Sequence, residues 1–122
     1  MKVPFFRPAI SQREINEVVE VLRSGWLTSG PRVKQLEESF ARAVNSRHAI
    51  AVNSGTAALH LAVEAHRLGP GQGVLVPTMT FAATAEVVLY CGGVPVLVDC
   101  EATTLNMSLE DAARRILDVK SA

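Results

Sequence analysis

Neither sign of charge dominates this chain, and it has no cysteine framework, internal repeat or low-complexity segment. Twelve basic and twelve acidic residues cancel, so no electrostatic excess draws it to nucleic acid or to an anionic lipid surface. The N-terminal stretch "MKVPFFRPAI" offers two adjacent phenylalanines broken off by Arg7 and Pro8. It has the pattern of neither a signal peptide nor a membrane span. The most apolar stretch, "FAATAEVVLYCGGVPVLVDC", is interrupted by Glu86, Gly92, Gly93 and Pro95, so it divides into helix, turn and strand. Cys91 and Cys100 have neither metal-site nor CxxC spacing. Lying in apolar runs, they read as buried free thiols, which fits a soluble, cytoplasmic chain. Lysine is scarce, at Lys2, Lys34 and Lys120 only. No lysine follows a glycine loop in P-loop position, and "GPGQG" comes after a helix and before a strand, the wrong order for a dinucleotide fingerprint.

What is present alternates regularly. With 122 residues, 48% of them hydrophobic, the chain has material for a core of one domain. "SQREINEVVEVLRSG" opens with a capping box, Ser11 with Glu14 three positions on, and Gly25 ends the helix whose apolar face is Ile15, Val18, Val19 and Leu22. After the loop "WLTSGP", Pro31 suits the first turn of a second helix with Val33, Leu36, Phe40 and Val44 at turn spacing. "RHAIAV" reads as a short strand, followed by a helix from about Gly55 to Leu68. Then come strand "VLVP", a helix over "FAATAEVVLYC", strand "VPVLVD", and a last helix "LEDAARRILDV" capped by Ser108.

The predicted order, α-α-β-α-β-α-β-α, implies an α/β fold with a mainly parallel sheet and helices on both faces. Residues 1–46 form a helical preamble with a loop, and 47–122 a βαβαβα segment. Three strands make a small sheet, and the final helix should lead into another strand. The chain is therefore expected to be the first part of a larger domain.

Two strand ends carry the chemistry. In "AVNSGTAALHLAV", Ser54, Gly55 and Thr56 pass directly from strand into helix. Small residues there let a backbone approach an anion, which the helix N-terminus favours. A plain Ser54 N-cap is an equally good reading of that stretch alone. In "VLVPTMTFAATAE" the strand again ends in small and hydroxyl residues, with Phe81 where the chain leaves the sheet. Core packing is the ordinary role for such a ring. Ligands of open parallel sheets, however, bind outside the carboxyl ends of the strands, and a flat phosphorylated molecule would use both features.

"SGWLTSGPRVKQLEESFA", "AVNSGTAALHLA", "VPTMTFAATAEVVLYCGGVPVLVD" and "LNMSLED" occur in the order and spacing of the DegT/DnrJ/EryC1/StrS aminotransferases, which the chain resembles over nearly its whole length. The resemblance implies the N-terminal portion of a type I (aspartate-aminotransferase) fold and pyridoxal 5'-phosphate as cofactor. It puts Gly55, Thr56 and Ala57 on the cofactor phosphate and Phe81 on the pyridine ring. Trp26, Thr28 and Ser29, in the loop resembling the active-site entrance, become substrate-side candidates. It also implies that "RHAIAV" does not pair with "VLVP", while "VLVP" and "VPVLVD" pair with each other.

Asp99 ends the third strand but does not match the family's ring-nitrogen carboxylate, which comes later, so it reads as structural. Glu110 and Asp111 read as helix-start charges, and His48, His60 and His66 as surface or packing residues. None of the three lysines matches the Schiff-base lysine, so no catalytic residue is assigned. The function implied is a homodimeric aminotransferase that moves an amino group from an amino-acid donor to a nucleotide-linked keto sugar. A sugar dehydratase of the same family, or a non-catalytic fragment, are the alternatives. The 122 residues alone are expected to be inactive.

Overall fold

In a computed structural model, the backbone is described for residues 3–121 and side chains for 3–118. The chain divides into two units, Met1–Ala51 and Val52–Ala122.

The first unit holds α1 (Gln12–Ser24) and α2 (Pro31–Ala43). The start of α1 is built reciprocally. Ser11 Oγ accepts the Arg13 N–H at 3.2 Å, and the Glu14 carboxylate accepts the Ser11 N–H at 2.6 Å. The Ser11 side chain, then its backbone N–H, lower the Glu14 carboxyl from its ordinary value. Gly25, in the left-handed region at φ 71°, closes the helix by donating its N–H to Leu22 O. Pro31 occupies the first turn of α2, where the missing N–H costs nothing. Arg32 ties the two helices together through Glu17 at 2.8 Å and Glu20 at 2.6 Å. The expected apolar faces are present but not buried: Ile15, Val18, Leu22, Leu36, Phe40 and Val44 are all exposed. Two short helices bridged at one arginine enclose no core, and a cleft of about 490 Å³ lies between them.

The second unit holds α3 (Gly55–Ala65), β1 (Gly73–Pro77), α4 (Ala83–Tyr90), β2 (Val94–Val98) and α5 (Leu109–Ser121). β1 and β2 pair in parallel, Gly73 opposite Val94 through Pro77 opposite Val98, with α4 as the crossover between them. The Thr78 N–H extends the ladder to Val98 O at 2.9 Å. The core is small and aliphatic: Val76 and Val98 from the strands, Ala83, Val87 and Val88 from α4, and Ala112 from α5. α3 packs on α4, while α4 and α5 pack on the strands. The fold is α/β, with the parallel pairing the patterning required.

Four expectations need correction. "RHAIAV", 47–52, is not a strand and pairs with nothing among the described residues; the sheet has two strands rather than three. A strand exists only when a neighbour supplies its hydrogen bonds, and here β1 and β2 take each other. The Ala51 N–H goes instead to the Glu37 carboxylate at 2.8 Å. α3 stops at Ala65, because the chain turns left-handed at Arg67 (φ 57°). α4 begins at Ala83, after a turn in which Phe81 O accepts the Thr84 N–H at 3.0 Å. Cys91 and Cys100 are free, as expected, but half-buried rather than buried.

Candidate functional site

The start of α3 is an extended Ser54 (φ −158°, ψ 159°) leading straight into the helix. Its Oγ accepts the Ala57 N–H and its carbonyl the Ala58 N–H, each at 3.1 Å. The serine is thus an N-cap, as its local sequence allows. A helix has no internal partner for its first N–H groups, here those of Gly55 and Thr56. No acidic residue sits in the first turn to neutralise the partial positive charge. Gly55 is exposed, and a Cβ added to it would meet nothing within 4 Å. Thr56 and Ala57 are half-buried. The turn therefore offers two amides and a threonine side chain, the donor set that an anionic oxygen requires.

The second strand end is pinned from several sides. Cys100 Sγ, just beyond β2, accepts the Met79 N–H at 3.4 Å and lies 3.7 Å from Thr78 Oγ1. Thr80 and Thr84 bond through their hydroxyls at 2.9 Å. Between these ties Phe81 is 81% exposed. Core packing, the ordinary role of such a ring, is not its role here. A restrained loop presents an apolar ring to solvent, just before a helix packed on α3. Gly55, Thr56, Ala57 and Phe81 thus lie on the starts of two neighbouring elements of one unit.

Trp26, Thr28 and Ser29 lie in the other unit, where they line one cavity of about 770 Å³ together with Glu20, Arg32 and Val33. Trp26 is held at both ends. Ser24 Oγ accepts its backbone N–H at 3.1 Å, and its indole N–H donates to Ser29 O at 3.1 Å. A Cβ on Gly30 would sit 2.1 Å from the indole nitrogen, so only glycine lets the ring lie against this backbone. The "WLTSGP" loop is a built turn.

Asp99 is structural in the sense expected. Its Oδ1 accepts the Cys100 N–H at 2.8 Å and its own N–H goes to Asp111 Oδ2 at 2.8 Å. Asp111 is more than a helix-start charge. It is 6% exposed, ties the end of β2 to the first turn of α5, and pairs with Arg114 and with Arg115 Nε, the latter at 3.5 Å. The Asp99 N–H, then Arg114, hold its carboxyl at about 2. The sequence signal was available: an aspartate three residues after the capping Ser108, with arginines three and four positions on. Glu110 is exposed in that first turn.

Of the lysines, Lys2 and the side chain of Lys120 lie outside the described residues. Lys34 is exposed on α2, 3.9 Å from Glu38. His48 is exposed, and His66 Nδ1 is 2.8 Å from Ala62 O. His60 meets the ring of Tyr90 edge-on.

The helices and the parallel strand pair form an α/β segment whose structural neighbours are pyridoxal-phosphate-dependent aminotransferases. Residues 8–122 match the profile of the DegT/DnrJ/EryC1/StrS aminotransferase family, and the chain belongs to that family. It is 47% identical over 105 residues to the spore coat polysaccharide biosynthesis protein SpsC of Bacillus subtilis (strain 168), covering 86% of this chain and 27% of SpsC. Its structure is similar to that of Spr1654 of Streptococcus pneumoniae, named as a sugar aminotransferase and solved in a PLP form. There the TM-score is 0.88 at 39% identity, over 94% of this chain and 29% of Spr1654. An aminotransferase from Psychrobacter cryohalolentis gives 0.84 at 35% identity, over 91% of this chain and 29% of its own. The chain thus spans less than a third of the length of these relatives, corresponding to their N-terminal portion. Among the described residues no helix is long and apolar enough to cross a membrane.

Proposed function

We propose that this chain is the N-terminal part of a pyridoxal-phosphate-dependent aminotransferase that aminates a nucleotide-linked keto sugar, working as a cytoplasmic homodimer. The observation that carries the proposal is the pairing of two features in one unit, an α3 start whose first N–H groups have no helical partner and a Phe81 ring free of the core. In this reading Gly55 and Thr56 hold the cofactor phosphate through their N–H groups and the Thr56 hydroxyl. Ala57, whose N–H Ser54 already caps, completes the turn. Phe81 lies against the pyridine ring and fixes its plane by dispersion and quadrupole contact. Trp26, Thr28 and Ser29 face the substrate.

The cofactor, when bound, supplies the electron sink and the amino carriage; this chain supplies binding and orientation. Lys34 is exposed on α2, 3.9 Å from Glu38, and is given no role in the chemistry. In this reading none of Lys2, Lys34 and Lys120 serves as the Schiff-base lysine, and Asp99 does not serve as the ring-nitrogen carboxylate. The test uses the protein expressed from its complete reading frame. It should bind pyridoxal phosphate, seen as a shifted absorption band, and transfer an amino group from glutamate to a nucleotide-linked keto sugar. Thr56→Val should weaken cofactor retention by about 1–3 kcal/mol, the cost of a lost polar contact. Binding that ignores both Thr56→Val and Phe81→Ala would place the cofactor elsewhere and overturn the assignment.

A further inference from the structure

Where α3 meets the end of α4, three side chains of different ligand type converge. His60 and Glu64 are one turn apart on α3 and share a face. Cys91 is the C-cap residue of α4, and its Sγ lies 3.4 Å from Glu64 Oε2. One ligand atom from each of His60, Glu64 and Cys91 lies within 4.8 Å of the other two. A tetrahedral zinc site with bonds of about 2.0–2.3 Å has ligand-to-ligand edges of about 3.3–3.8 Å. The sulfur–carboxylate edge already has that length. The remaining closure, about 1 Å, is within the reach of side-chain torsions.

We propose that His60, Glu64 and Cys91 bind a divalent cation of the zinc class, with water in the fourth position. The donor set selects the metal: imidazole, carboxylate and thiolate together suit zinc and its neighbours, whereas magnesium and calcium take oxygen. The imidazole is already steadied by Tyr90, whose ring lies 5.6 Å away at 69°. The Cys91 thiol donates its proton to Glu64 Oε2 in a hydrogen bond of 3.4 Å. A dication takes that proton's place: the S–H bond breaks, the metal–sulfur bond forms, and the proton leaves to water. Bound there, the metal would clip α3 to the end of α4, adding to their packing and to the Cys91–Glu64 contact.

The probe is cobalt(II), added to the protein from its complete reading frame after it has been reduced, chelator-treated and freed of cofactor. One cobalt per chain is expected, with thiolate-to-cobalt charge-transfer absorption and the intense visible bands of a tetrahedral site, both displaced by zinc. Cys91→Ser should abolish the charge-transfer band, His60→Asn should weaken binding roughly tenfold or more, and Cys100→Ser should change neither. Circular dichroism checks the fold of each variant. If Cys91→Ser fails to fold, Glu64→Gln and His60→Asn decide the matter. No charge-transfer band at saturating cobalt, a band that survives Cys91→Ser, or affinity unchanged in His60→Asn would each overturn the proposal. None of these readouts depends on pyridoxal phosphate, so the site stands or falls apart from the aminotransferase reading.

Discussion

Replacing Phe81 by alanine separates a binding ring from a packing ring. A phenylalanine of about 200 Å² that is 81% exposed leaves roughly 160 Å² to water. A planar cofactor lying on one face would cover about half of that, roughly 80 Å². At about 25 cal/mol per Å² the contact is worth about 2 kcal/mol, and stacking geometry adds about 0.5–1.5 kcal/mol. Phe81→Ala should therefore weaken pyridoxal-phosphate retention by roughly 60- to 300-fold, taking 1.4 kcal/mol per tenfold. The same exposure means that little packed surface is lost, so unfolding stability should move by less than about 0.5 kcal/mol. The assay is equilibrium dialysis against pyridoxal phosphate with urea unfolding run beside it, on the protein from its complete reading frame. Unchanged retention, or a large loss of stability, would refute the placement of this ring on the cofactor.

Val98→Ala, at a side chain with 0% exposure on β2, should cost roughly 2–3 kcal/mol of unfolding free energy, with a lower urea midpoint at unchanged slope. Asp111 has its carboxyl lowered from 3.8 to about 2 in the folded chain. Its contribution is complete above the ordinary carboxylate range and is lost as pH falls through about 2. Thermal unfolding over that window should show a dependence that Asp111→Asn flattens. Gly30→Ala should push the Trp26 indole off Ser29 O and change tryptophan fluorescence, without altering the helical signal of α1 and α2. The 122 residues expressed alone should show no amino transfer, and borohydride reduction with pyridoxal phosphate should label no single lysine stoichiometrically. They should also self-associate, since large apolar side chains such as Phe5, Phe6, Leu22, Phe40 and Leu117 are exposed. Light scattering and mass mapping check both points.

The residues legible in advance were those whose partners are near in sequence. Ser11, Glu14 and Gly25 bound α1 because a cap is a contact over three or four positions. Ser54 and Ser108 open their helices for the same reason. The alternation of strand and helix around Val76, Val88 and Val98 fixed the α/β class, and four motif blocks in register identified the family. The anion-suited start of α3 was visible because a helix N-terminus creates it, whatever surrounds it.

Tertiary structure decided what depends on distant partners. Segment 47–52 has a strand's composition, yet among the described residues no strand pairs with it, and Glu37 takes its Ala51 N–H instead. Phe81 and the apolar faces of α1 and α2 look like core in a linear pattern. Burial, however, needs a facing surface, and periodicity does not say whether one is there. Asp111 reads in sequence as only a helix-start charge because its decisive partner is the backbone of Asp99, twelve residues away. His60 and Cys91 had no partner spacing, since the contact joining α3 to Cys91 spans twenty-seven residues. Hydrogen bonds and ligand sets act over a few ångströms of space, and only the folded chain brings such positions within that range.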